Sequence, residues 1–127
     1  MSMLALVIDD SMLIRHTVGR FLESRGFKVE TANNGIAALE LLELIRPDLI
    51  VTDLQMPELS GYQLIDVLKA NEETADIPIL VLAAKPSAQI RLDKRVLAFI
   101  HKDLNVEEQL DQALENLFPG LPQATQS

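Results

Sequence analysis

The sequence predicts an α/β domain built on a doubly wound, five-stranded parallel sheet with helices on both faces. Three observations carry that prediction. Short β-branched apolar runs alternate with stretches whose apolar residues recur at helical spacing. The links between them are short, as βα units require. The run IPILVLAA, residues 77–84, is continuously apolar, as befits a strand covered on both faces. At 127 residues and 48% hydrophobic composition, the chain is long enough for one ordinary core and too short for two. Aromatics are only 4%, so Leu, Ile, Val and Ala must fill that core.

Each element follows from its own stretch. LALVI, residues 4–8, is the first strand. From Met12 to Arg25, the stripe Ile14, Thr17, Val18, Phe21 and Leu22 predicts a helix, and Gly26 supplies its stop. FKVETA alternates as a half-buried strand, and Ile36 to Ile45 reads as a second helix that ends before Pro47. DLIVTD is the third strand, followed by the loop LQMPELSG and a helix carrying Leu64, Ile65 and Leu68. IPILVLAA and LAFIHK supply the fourth and fifth strands. The last helix opens at Asn105 with Glu108 in a capping-box arrangement and buries Val106, Leu110, Ala113, Leu114 and Leu117. We expect one domain over residues 1–118 and a flexible tail over 119–127, where Pro119, Gly120 and Pro122 end the helix.

Composition excludes several function classes. A net charge of −8 with no basic run opposes direct binding to nucleic acid or anionic lipid. No apolar stretch approaches the ~18 residues of a spanning helix, and no basic-then-apolar leader opens the chain. The absence of cysteine removes disulfides and thiolate metal sites. A soluble, cytoplasmic protein is expected.

Chemistry concentrates at one sheet edge. Right-handed crossovers between parallel strands point every strand C-terminus the same way, and such sheets bind ligands outside those ends. Asp9 and Asp10 follow the first strand, Asp53 ends the third and Lys102 ends the fifth. Carboxylates brought together repel unless a cation compensates them, and hard oxygen ligands favour Mg²⁺, commonly shared with a phosphate oxygen. A strand-ending Asp can instead be the N-cap of the next helix, which suits Asp9 or Asp10 but explains Asp53 poorly. Lys102 could be a solvated edge residue. Pro57 and Gly61 read as loop-shaping residues, and His16 and His101 as surface or packing residues.

VIDDS, VTDLQMPELSG and the strand-ending Lys102 together resemble the receiver domains of two-component response regulators, over essentially the whole chain. The resemblance implies a flavodoxin-like sheet of order 2-1-3-4-5. It also implies that Asp53 is a phosphoacceptor, taking a phosphoryl group from a phosphohistidine on a histidine kinase or histidine phosphotransfer protein. Asp9 and Asp10 would hold Mg²⁺ together with Asp53 and the backbone carbonyl of Gln55, and Lys102 would pair with the incoming phosphoryl oxygens. The first helix, from Met12 and Leu13, would dock the phosphodonor, and residues 88–117 would meet an unknown downstream protein.

The sequence also departs from that family's pattern. The fourth strand usually ends in Ser or Thr, and here the position is Ala83, so the phosphorylated state loses a bond worth about 1.5–3 kcal/mol, with the Ala84 N–H as the remaining donor. Phe99 keeps the aromatic switch position but lacks its hydroxyl partner, and is expected to sit inward above Ala83. Asp103 replaces the usual proline after Lys102; a non-proline cis bond costs about 2.5–4 kcal/mol, so a trans peptide is expected. The segment from Ser87 to Val96 is short and predicts a short or irregular fourth helix.

Two other functions compete. A phosphorylation-independent pseudo-receiver would bind a partner constitutively. A Mg²⁺-dependent phosphohydrolase would need Asp-x-Asp after the first strand and a cap insertion, whereas this chain has Asp9-Asp10-Ser11 and no such insertion. A receiver is otherwise no enzyme, catalysing only its own phosphorylation and dephosphorylation.

Overall fold

The computed structural model describes residues 3–84 and 95–121. Along the chain run β1 (Met3–Ile8), α1 (Met12–Ser24), β2 (Phe27–Ala32), α2 (Gly35–Leu42), β3 (Leu49–Asp53), α3 (Gly61–Ala70), β4 (Ile79–Ala83), β5 (Ala98–His101) and α4 (Val106–Leu117). The strands form one five-stranded sheet of order β2-β1-β3-β4-β5, and each pairing is parallel. This is the predicted doubly wound, flavodoxin-like sheet. The irregular helix expected between Ser87 and Val96 lies, up to residue 94, outside the described residues, as do tail residues 122–127.

Alternation along the central strands divides the core in two. Leu6, Ile8, Ile50, Ile79 and Val81 face α2 and α3, joining Ala38, Leu64, Ile65 and Leu68. Ala5, Val7, Leu49, Val51, Leu80 and Leu82 face α1 and α4, joining Val18, Leu22, Leu110 and Leu114. Since successive strand residues point to opposite faces, a strand buried on both sides reads as a near-continuous apolar run, which in β3 gives way only to Thr52 and Asp53 at its end. β3 and β4 are buried at every position. Phe118 extends the second cluster through an edge-to-face contact with Phe27, centroids 5.8 Å apart, and Leu121 packs beyond it.

Helix boundaries depend on local hydrogen bonds. Ser11 caps α1, its side chain accepting from the Ile14 N–H at 3.3 Å, so neither Asp9 nor Asp10 is needed as the cap. α2 stops at Leu42 rather than Ile45. Glu43 and Leu44 N–H bond to Glu40 and Leu41 carbonyls in tight i→i−3 turns, the expected unwinding ahead of Pro47. At α4 the Asn105 side chain accepts from the Glu108 N–H, which is half of a capping box. The reciprocal arrangement occurs at α3, where Ser60 and Gln63 satisfy each other's backbone N–H groups.

Among the described residues, Asp9 and Arg25 are charged side chains that lie wholly inside. Arg25, the C-cap of α1, is fully buried and reaches α4, where it donates to Asp111 and, at 2.8 Å, to Glu115. A buried guanidinium is tolerated only when paired, and these carboxylates are half-exposed and stay solvated. The clamp ties the C-terminal end of α1 to α4 on the sheet face that the two helices share.

Candidate functional site

β1, β3 and β5 end at the same edge, and their last residues meet there. Asp9 follows β1 and is fully buried, Asp53 ends β3 at 5% exposure, and Asp10 is exposed at the rim. One carboxylate oxygen from each of Asp9, Asp10 and Asp53 lies within 4.8 Å of the others. Lys102, directly after β5, places Nζ 2.8 Å from Asp9 Oδ2 and 3.2 Å from Asp53 Oδ1. The structure thus brings together all the charged residues that the sequence placed at strand ends.

Backbone contacts set each group. Asp9 N–H donates to Ala32 O, anchoring the residue to β2. Asp9 Oδ1 accepts from the Ser11 N–H at 2.8 Å, and Asp53 Oδ1 accepts from the Gln55 N–H at 3.3 Å. Arg15, one turn into α1, donates to the Asp9 carbonyl at 2.7 Å. Gly61 lies so close beneath Asp53 that an added Cβ would meet the Asp53 carbonyl oxygen at 2.3 Å. Its N–H also donates to Leu54 O at 2.9 Å. More than a shaper of its loop, Gly61 is the residue on which the Asp53 backbone rests.

The electrostatics follow from two carboxylates sharing one ammonium. Burial pushes the Asp9 carboxyl above its ordinary value, and the Asp53 charge adds to that, against the pull of Lys102 and the Ser11 N–H. Burial works against the Lys102 ammonium, but Asp9 and Asp53 together outweigh it and hold its pKa above the usual lysine value. Among the described residues, Asp9 Oδ2 is the buried side-chain oxygen without a well-aligned hydrogen bond, and the Lys102 ammonium meets it as an ion pair at 2.8 Å. Such an anionic oxygen inside a carboxylate cluster fits a hard divalent cation.

The cluster opens into a cleft of about 470 Å³ lined by Asp10, Asp53, Gln55, Tyr62, Ala83, Ala84 and Lys102. Ala83, at 6% exposure, presents only a methyl group there, and the described peptides, Lys102–Asp103 among them, are all trans. Phe99 is half-buried and packs against the cluster that contains Ala83, with its ring 6.5 Å from that of His101. His101 Nδ1 accepts from the Asp103 N–H at 3.3 Å, and His16 is exposed on α1. Sequence reasoning missed Arg15 and Tyr62. The i+6 spacing from Asp9 to Arg15 across a turn carries no signal of its own, and Tyr62 reads as an ordinary helix residue.

Comparison with known proteins agrees with this geometry. The chain is 37% identical over 113 residues to the response regulator MprA of Mycobacterium ulcerans, an alignment covering 87% of this chain and 48% of that one. The chain therefore spans about half the length of the curated relatives it matches. The Vibrio cholerae chemotaxis protein CheY4 superposes with a TM-score of 0.84 at 27% identity, covering 93% of this chain and all of that one. The receiver domain of the sensor histidine kinase PA1611 from Pseudomonas aeruginosa PAO1, with a magnesium ion coordinated in its active site cleft, shares the fold. Its TM-score is 0.79 at 24% identity, over 91% of this chain and 97% of that one. Residues 5–115 match the family described as response regulator receiver domain, and with the converged strand-end charges this establishes that the chain belongs to that family of two-component signalling modules.

Proposed function

We propose that this receiver accepts a phosphoryl group on Asp53 from a phosphohistidine of a histidine kinase or histidine phosphotransfer protein. The observation that carries the reading is the position of Asp53, facing the cleft with the Lys102 ammonium 3.2 Å away and the Asp9 and Asp10 carboxylates within 4.8 Å. An Asp53 oxygen attacks phosphorus, the P–N bond of the donor breaks, and its electron pair stays on the imidazole. Lys102 meets charge on the phosphoryl oxygens, and the Ala84 N–H borders the same space. Asp9, Asp10, Asp53 and the Gln55 carbonyl would hold Mg²⁺, which supplies charge neutralisation when bound.

Donor docking would fall on α1, where Met12 and Leu13 are large apolar side chains 74% and 72% exposed beside Asp10. A second reading has one specific support. With Ala83 in place of a hydroxyl, the phosphorylated state gains less differential contact, and a ligand shifts an equilibrium only by such contacts. A receiver that binds its target regardless of phosphorylation would look like this.

Intact-protein mass after incubation with acetyl phosphate decides between them. Wild type should gain one phosphoryl group only with Mg²⁺, and Asp53→Ala should gain none. Failure of wild type to gain mass at saturating Mg²⁺ would favour the constitutive binding module.

A further inference from the structure

The peptide plane that precedes Lys102 is held from both sides. Its N–H, belonging to Lys102, donates inward to Ala83 O of β4 at 2.9 Å. Its C=O, belonging to His101, points off the sheet edge, because β5 is the last strand. Edge groups of this kind ordinarily turn to water. Here the Gln109 carboxamide, at the end of the first turn of α4, takes them: Nε2 donates to His101 O at 2.9 Å and Oε1 accepts from the His101 N–H at 2.8 Å. The same Nε2 reaches Asn105 O at 3.2 Å, so the amide is braced against its own helix N-terminus. A primary amide facing a peptide in this way replaces one residue of a missing sixth strand.

Downstream of Lys102 there is little to stiffen the chain. Asp103, Leu104 and Asn105 are exposed, and the turn is closed by contacts of 3.2 Å from the Leu104 N–H to His101 O and 3.3 Å from the Asp103 N–H to His101 Nδ1. The direction of the Lys102 Cα–Cβ bond therefore depends on the plane before it.

We propose that Gln109 is a positioning residue for Lys102, its carboxamide locking the His101–Lys102 peptide so that the ammonium sits between Asp9 and Asp53. This rests on the phosphoacceptor reading for its consequence in phosphorylation, but its structural content can be read without it. Lys102 also opposes a divalent cation by neutralising the same carboxylates. A loosened Lys102 slows phosphorylation and lets Mg²⁺ bind more tightly, an opposite pair of effects that general destabilisation does not produce.

The test uses wild type, Gln109→Ala, Lys102→Ala and their double mutant, with Gln109→Met as a same-length variant should the alanine form fold poorly. Mg²⁺ affinity is read from the fluorescence of Tyr62, which is the single tyrosine of a chain without tryptophan and lines the cleft. Phosphorylation by acetyl phosphate is read by intact mass, and the Lys102 amide by hydrogen exchange. Gln109→Ala should slow phosphorylation about tenfold, tighten Mg²⁺ about twofold to threefold, and add nothing in the Lys102→Ala background. Multiplying effects in the double mutant, or a lowered Tm with unchanged rate and Mg²⁺ affinity, would overturn the proposal. If wild type takes no phosphoryl group, the phosphoacceptor reading fails, and exchange of the Lys102 amide decides this one. Acceleration of about tenfold or more in Gln109→Ala supports it, and unchanged exchange refutes it.

Discussion

Lys102 lies closer to Asp9 than to Asp53, its Nζ 2.8 Å from Asp9 Oδ2 and 3.2 Å from Asp53 Oδ1. The residue proposed to meet a phosphoryl group on Asp53 thus spends its charge first on the most deeply buried carboxylate of the cluster. A divalent cation bound among the same oxygens supplies that charge instead and frees the ammonium for the phosphoryl oxygens. Lys102→Met should accordingly tighten Mg²⁺ binding several-fold while slowing acetyl phosphate turnover onto Asp53 by about a hundredfold. Titration calorimetry and intact mass check the two halves, and parallel weakening of both would contradict the competition.

The buried Asp9 carboxyl makes a pH prediction with a definite sign. Its pKa in the fold is raised above the ordinary 3.8, chiefly by burial. A group raised on folding contributes stability that is full below its unfolded pKa and lost as pH climbs through the folded value. Ionised Asp9 is therefore a cost to the cation-free protein at neutral pH. Asp9→Asn should raise Tm by a few degrees at pH 7 in chelator, about 1 kcal/mol, and should gain less from added Mg²⁺ than wild type does. A lower Tm for Asp9→Asn in chelator would show that the ion pair with Lys102 outweighs the burial.

Gly61 makes a steric prediction. The Cβ of an alanine there would lie 2.3 Å from the Asp53 carbonyl oxygen and 2.7 Å from Leu54 Cα, both backbone atoms that cannot rotate aside. Gly61→Ala is expected to cost about 1–3 kcal/mol in urea denaturation and to slow phosphorylation by moving the Asp53 carboxylate off line. Wild-type stability in this variant would mean that the α3 N-terminus shifts freely.

Ala83 tests the missing donor. A hydroxyl placed there borders the cleft shared by Asp53 and Lys102. Ala83→Ser should strengthen binding of a phosphoryl mimic such as beryllofluoride about tenfold, in keeping with a hydrogen bond to a charged group. An unchanged affinity would show that the Ala84 N–H already serves the position.

The alternation of apolar runs and helical stripes was sufficient for the sheet, its parallel sense and the clustering of Asp9, Asp10, Asp53 and Lys102 at one edge. Those properties follow from local periodicity and from crossover handedness, both of which are written into consecutive residues. Helix ends were less legible. The full capping box formed at Ser60 and Gln63 rather than at Asn105 and Glu108, because a reciprocal cap needs side-chain geometry beyond the matching residue types. Long-range partners away from the strand ends were not legible. Arg25 meets Glu115 across 90 positions, Gly61 earns its place only by its closeness to Asp53, and Gln109 holds the strand end that carries Lys102. Such contacts arise when separate elements dock, and their spacing along the chain has no period for a sequence to display.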